Sequence, residues 1–148
     1  MATPFDNIVD LALIGIRDYK LDKLFNYSHV DFTNYCDSFL IRAIPNFFRC
    51  KQSLEYDMDN RAFVADLTST EQSILADFWV ISWTEKEVQD AKSLQATLQV
   101  SSSFSTHSQS QFLKEKKALL DNMYEKVHQK ITDYLLQDIA TTNIFEGW

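Results

Sequence analysis

The residues best suited to chemistry are few and scattered. The histidines are His29, His107 and His128. None pairs at i,i+4 with another His or Cys, as a helical metal site requires. Each is expected as a surface or capping residue. Cys36 and Cys50 form no ligand pattern, and no secretory start precedes them, so both are expected as reduced intracellular thiols. Asp57, Asp59 and Asn60 resemble the front of a calcium loop, but the glycine and the bidentate glutamate of such a loop are missing. An acidic, solvated loop is the expected reading. With only Gly15 and Gly147 in the chain, no glycine-rich phosphate loop can be built. No nucleophile elbow, P-loop or dinucleotide fingerprint occurs. The expectation is a protein that is not an enzyme, with no catalytic residue, no cofactor and no metal. A convergent pair of carboxylates is the one catalytic alternative.

Composition points to the elements that would carry other kinds of work. The chain has 148 residues, of which 45% are hydrophobic and 24% charged. A domain of this size buries roughly 70% of its unfolded surface. Two glycines and two prolines are too few for a fold of tight hairpins, and helices need few of either. Eleven Phe, six Tyr and three Trp supply large contact areas for cores and interfaces. The net charge of −7 opposes nucleic-acid binding, which needs a basic surface. No apolar run approaches 18 residues, so no membrane span is expected.

The spacing predicts a mainly α fold, a bundle of four to five helices. Thr3 and Pro4 open the first helix, near residues 4–18, with Thr3 as cap and Pro4 at the first helical position. Ser28 and Asp31 start a second, whose apolar face runs from Phe32 to Ala43 and breaks at Pro45. Residues 51–66 read as a loop or irregular extended segment. Thr68 and Glu71 have capping-box spacing ahead of Ile74, Leu75, Phe78, Trp79, Ile81 and Trp83. That helix runs to about Val88 and continues, after a bend, through Leu94. Trp79 and Trp83 share one face and are expected in the core, with an interface anchor as the other reading. Residues 97–111 read as an exposed loop or short hairpin, and an irregular or short β segment is expected at 55–66 and at 97–105. Ser108 and Gln111 can cap a long C-terminal helix over about 109–138, roughly 45 Å in length. The domain division is one helical domain over 1–138 and an extended C-terminal interaction tail over 139–148. Candidate partner-binding residues are Ile139, Ile144, Phe145 and Trp148 in the tail, and Val100 and Phe104 in the serine-rich loop.

The segments TPFDNIVDLAL, FLIRAIPNFFRCKQSL, DLTSTEQSILADFWVISWTEKEV and HSQSQFLKEKKALLDN, in this order, resemble small virion proteins of tailed bacteriophages. The resemblance spans about residues 3–135 and is closest to the head–tail connector, or adaptor, of the phage neck. It implies a subunit of a homo-oligomeric ring, with twelve copies expected. It implies docking under the portal protein, with a tail, stopper or terminator protein as the other neighbour. DNA would pass through the channel without specific binding, and no membrane is involved. The expected location is the virion, after assembly in the host cytoplasm. A tail terminator or another completion protein is the alternative within that class. A small intracellular regulatory protein that binds one partner through the Trp79/Trp83 face is the alternative from another class.

Overall fold

The N-terminal residues form a different contact from the cap their types predict. The computed structural model describes residues 2–16, 18–99 and 106–146, with the side chains of 2–16, 18, 20–94 and 111–137. Thr3 and Pro4 form a short strand, β1, and Pro4 itself occupies the cap position of helix α1, Phe5–Ile14, without a side-chain cap. The Thr3 hydroxyl is used elsewhere. It donates to the Ala65 carbonyl at 3.0 Å and accepts from the Leu67 N–H at 2.8 Å. A hydroxyl that satisfies two backbone groups of a distant segment is a tertiary staple, and it replaces the local cap. Helix α1 also ends at Ile14, short of the expected residue 18.

Helix α2, Tyr19–Tyr27, lies between the first two helices that the spacing predicts. The Asp18 carboxylate caps it by accepting from Lys20 N–H at 2.8 Å. Helix α3, His29–Ala43, starts where expected, with Ser28 Oγ accepting from Asp31 N–H. Pro45 sits in a 3₁₀ turn, Ile44–Asn46, that ends α3.

The acidic stretch forms a small hairpin of β2, Tyr56–Asp57, and β3, Ala62–Phe63. Strand β1 pairs on the other edge of β3, so the antiparallel sheet has the order β1-β3-β2. Thr3 and Tyr56 both oppose Phe63. Pro4 is accommodated because β1 is an edge strand.

Helix α4, Ser69–Gln99, and helix α5, Thr106–Glu146, dominate the molecule. The capping box at the start of α4 forms as predicted: Thr68 N–H donates to Glu71 Oε1 at 2.9 Å, and Glu71 N–H to Thr68 Oγ1 at 3.2 Å. Helix α4 is central, packed on α1, α3 and α5. Its buried residues Ile74, Leu75, Phe78, Trp79 and Ile81 therefore point to several sides. They meet Phe5 and Ile8 of α1, Phe39 and Leu40 of α3, and Val127 and Ile131 of α5 in one core. Each large side chain buried this way contributes about 1.5–3 kcal/mol.

The fold is thus mainly α, with five helices, a long C-terminal helix and a three-stranded sheet among the described residues. Of the short β segments expected, the one at 55–66 is present as β2 and β3. Residues 97–99 are instead helical, within α4, and 100–105 lie outside the described residues. The chain after Asp138, read from sequence as an extended tail, has helical backbone through Glu146.

Candidate functional site

Two polar clusters could serve chemistry, and their electrostatics indicate what each does. In the first, Glu71 is 1% exposed and its carboxylate is filled with donors. Oε1 accepts from Thr68 N–H and from Gln52 Nε2 at 2.6 Å. Oε2 accepts from the Tyr134 hydroxyl at 2.8 Å and from the Cys50 thiol at 3.2 Å. The Tyr134 oxygen in turn accepts from Lys51 N–H at 2.9 Å. Burial opposes the charged carboxylate, but the hydrogen bonds from Thr68, Tyr134, Gln52 and Cys50 outweigh it and hold the pKa near 2. Burial pushes the Cys50 thiol up to about 11 and the buried Cys36 thiol up to about 12. Burial, and behind it the Glu71 hydrogen bond, also raise the Tyr134 hydroxyl. A carboxylate this acidic is a poor proton acceptor near neutral pH, and these cysteines stay thiols, not thiolate nucleophiles. The cluster ties the start of α4 to the 50–52 segment and to α5.

The second cluster is an ion triad. Arg61 donates from Nε and Nη2 to the two Asp37 oxygens at 2.7 and 2.8 Å, and from Nη2 to Asp6 at 2.8 Å. The two hydrogen-bonded carboxylates raise the Arg61 pKa further, against its partial burial. The Asp37 side chain is 6% exposed, so its charge depends on this partner. Arg61 lies at the end of the hairpin with φ 50°, a left-handed conformation that side chains other than glycine seldom adopt. The hairpin thus presents its guanidinium to α1 and α3 together. The Asp57 carboxylate is used within the same turn, accepting from Asp59 N–H at 2.9 Å and Asn60 Nδ2 at 2.6 Å. Among the described residues no group of three or more His, Cys, Asp or Glu side chains is placed to share a metal ion.

The two tryptophans of α4 divide. Trp79 is fully buried, and its indole N–H donates to the Cys36 carbonyl at 2.8 Å. Its ring meets Phe39 edge-on at 5.3 Å. Trp83 is half-buried, and its indole N–H has no hydrogen-bond partner among the described residues. A surface made by both is therefore absent.

What the molecule does present is a two-helix arm. From Gln89 to Leu94 of α4, and from Gln111 to Lys126 of α5, no residue is buried. Leu113, Lys116, Leu120 and Met123 follow the 3–4 spacing of a helix seam and are half-buried, while Leu94, Phe112 and Leu119 remain about half exposed. Nearer the core the two helices part into an open groove of about 480 Å³. Val80, Ile81, Met123 and Val127 line it, and Asp77, Lys126 and Lys130 are among the charged residues there. The Lys130 ammonium bridges Asp77 and Ser73, both at 2.7 Å. The Tyr124 hydroxyl donates to Glu85 and closes the helix pair at the base of the arm. Burial, then Glu85, raises its pKa to about 12.

Of the partner-binding residues expected from sequence, Ile139, Ile144 and Phe145 belong to the helical backbone of α5. Their side chains, together with Val100, Phe104 and Trp148, lie outside the described residues. The apolar residues of the arm include Phe112 and Leu119, both about half exposed. Their exposure depends on how far α5 runs past the core, which spacing does not reveal. No helix among the described residues is long and apolar enough to cross a membrane. No family model, no curated protein and no solved structure matches this chain.

Proposed function

We propose that this chain is a structural subunit of a tailed-bacteriophage particle, a head–tail connector or adaptor that acts through protein–protein contacts and performs no catalysis. The observation that carries the reading is the arm. Helix α5 has 41 residues, about 62 Å at 1.5 Å per residue. A domain of this length has a radius of gyration of about 15 Å, so one bundle cannot cover such a helix. Exposed apolar side chains on a rigid helix pair suit a surface that a neighbour covers. The resemblance of the four quoted segments to neck proteins supplies the identity of the neighbours. They are further copies in a ring, with twelve the expected number, the portal protein, and a tail, stopper or terminator protein. The acidic net charge suits a channel wall past which DNA moves without being held.

A tail terminator or other completion protein remains the second post in the same virion. A regulatory protein working through a Trp79/Trp83 face loses its surface, because Trp79 is fully buried.

The test is localisation and assembly. The protein should be found in purified particles and map to the neck by electron microscopy. Deleting residues 139–148 should leave the far-ultraviolet spectrum of a helical fold and abolish incorporation. A protein absent from particles would refute the reading, and normal incorporation of the truncated chain would refute the role of its last ten residues.

A further inference from the structure

Helix α5 carries a flank of apolar and cationic residues along the arm, which shares Lys116 and Met123 with the half-buried seam. Phe112, Lys116, Leu119, Met123 and Lys126 recur at three- and four-residue steps, so they lie along one side of the helix. Phe112 and Leu119 are about half exposed, and the Lys116 ammonium sits 5.5 Å from the centre of the Phe112 ring. Met123 and Lys126 continue the flank into the α4/α5 groove. Neither Lys116 nor Lys126 has an ion-pair partner among the described residues.

Elsewhere on the molecule is a surface of opposite character. Between α1, α2 and α3 lies a notch of about 310 Å³ whose apolar wall includes Leu13, Ile16, Phe25 and Phe32. Asp10, Asp18 and Asp22 stand among its lining residues, and among the described residues no Lys or Arg does. None of these carboxylates forms an ion pair among the described residues. On the same end of α1, Ile14 is 81% exposed and Leu11 44%.

We infer that these two surfaces are the halves of one contact, in which the α5 flank of one copy docks on the carboxylate-rimmed notch of a second copy of this chain. Each half supplies what the other lacks: ammonium groups beside half-exposed apolar side chains, and carboxylates around an apolar hollow, neither set ion-paired among the described residues. Opposite potentials across an apolar centre steer association and set its register. Because the halves are different patches, the contact is head-to-tail and repeats from copy to copy, which generates a ring or an open array. The inference rests on the assembly reading proposed above and names the surfaces that would carry it.

Charge reversal on each half, followed by mixing, tests it with the full chain. One variant is Lys116→Glu with Lys126→Glu; the other is Asp10→Lys with Asp22→Lys. Asp18 is left alone because it caps α2. Sedimentation velocity over a concentration series reads association, and far-ultraviolet spectra confirm the fold. Wild type should self-associate, less so as salt rises. Each variant alone should associate at least about tenfold more weakly. The mixture should regain association, since the reversed flank then faces the reversed notch and the untouched pair keeps its original signs. A wild type that remains monomeric at about 100 μM, far above the dissociation constants of stable assemblies, overturns the contact. So do variants that associate like wild type, or a mixture that recovers nothing. Incorporation of wild type into particles despite any of these results would leave the assembly reading standing and sink this contact alone.

Discussion

Replacing Glu71 with Gln is the most informative single change, because it removes charge and one acceptor oxygen while keeping the shape. In the wild type, Oε1 serves Thr68 N–H and Gln52 Nε2, and Oε2 serves the Tyr134 hydroxyl and the Cys50 thiol. A glutamine side chain has one carbonyl oxygen, so whichever way it turns, two of these donors face an NH₂ group. The Tyr134 hydroxyl is one of the donors at stake: its hydrogen goes to Oε2 while its oxygen accepts from Lys51 N–H. Two donors left without acceptors, each costing about 1–3 kcal/mol, give a loss of about 2–6 kcal/mol. Domains of this kind have about 5–15 kcal/mol in total. Urea unfolding followed by circular dichroism reads the loss, and at a slope of about 2 kcal/mol per molar a 3 kcal/mol change moves the midpoint by about 1.5 M. The effect also has a required pH dependence. Glu71 titrates near 2 when folded against 4.5 in its ordinary state. Above about pH 4.5 the carboxylate is charged in both states and its stabilisation is complete. As pH falls toward 2 the unfolded chain takes up the proton first, and about 3 kcal/mol is lost at 1.36 kcal/mol per pKa unit. The glutamine variant lacks this group, so the gap between it and wild type should close over that window. A variant within about 0.5 kcal/mol of wild type, or a gap that stays flat as pH falls, would refute the account of the cluster.

Three further outcomes follow from the same geometry. Arg61→Ala should destabilise by about 2–4 kcal/mol in chemical unfolding, because it strands the buried Asp37 carboxylate; a neutral result would mean that Asp37 is not held by this pair. Trp79→Phe should cost about 2–3 kcal/mol by losing a buried hydrogen bond and volume, whereas Trp83→Phe should cost under about 1 kcal/mol because its indole N–H has no partner to lose among the described residues; equal losses in thermal melts would contradict the contrast. At pH 8, alkylation of native Cys50 should run about a hundredfold slower than that of an ordinary thiol, since its pKa stands near 11 rather than 9.0; rates matching those of the unfolded protein would oppose that shift.

Local signals were legible, and distant ones were not. The Thr68/Glu71 capping box, the Ser28 cap and the break at Pro45 each involve residues within a few positions of one another, and each forms. The further partners of Glu71 lie 19, 21 and 63 residues away. No periodicity encodes such pairings; they exist only once α4 and α5 are packed. Thr3 misled for the related reason that its hydroxyl had two uses, and the tertiary one prevailed. Helix α2 was missed although Asp18 and the apolar Leu21, Leu24 and Phe25 carry a signal for it. Nine residues with net polar character do not stand out without α3, whose Phe32 ring meets Phe25 edge-on. The fully buried Trp79 illustrates a further limit. Spacing puts it on a face with Trp83, but only the position of α3 decides which of the two is enclosed.

The unbroken run of α4 has a mechanical consequence. From Ser69 to Gln99 it contains no glycine or proline, the usual places where a helix bends sharply. Its first turn is clamped through Glu71, its middle is wedged among three other helices, and its far end is half of the arm. A push on the arm therefore has no hinge in which to dissipate. It acts as torque on a stiff rod, and whatever grips Leu94 or Phe112 also levers against the hydrophobic centre around Trp79.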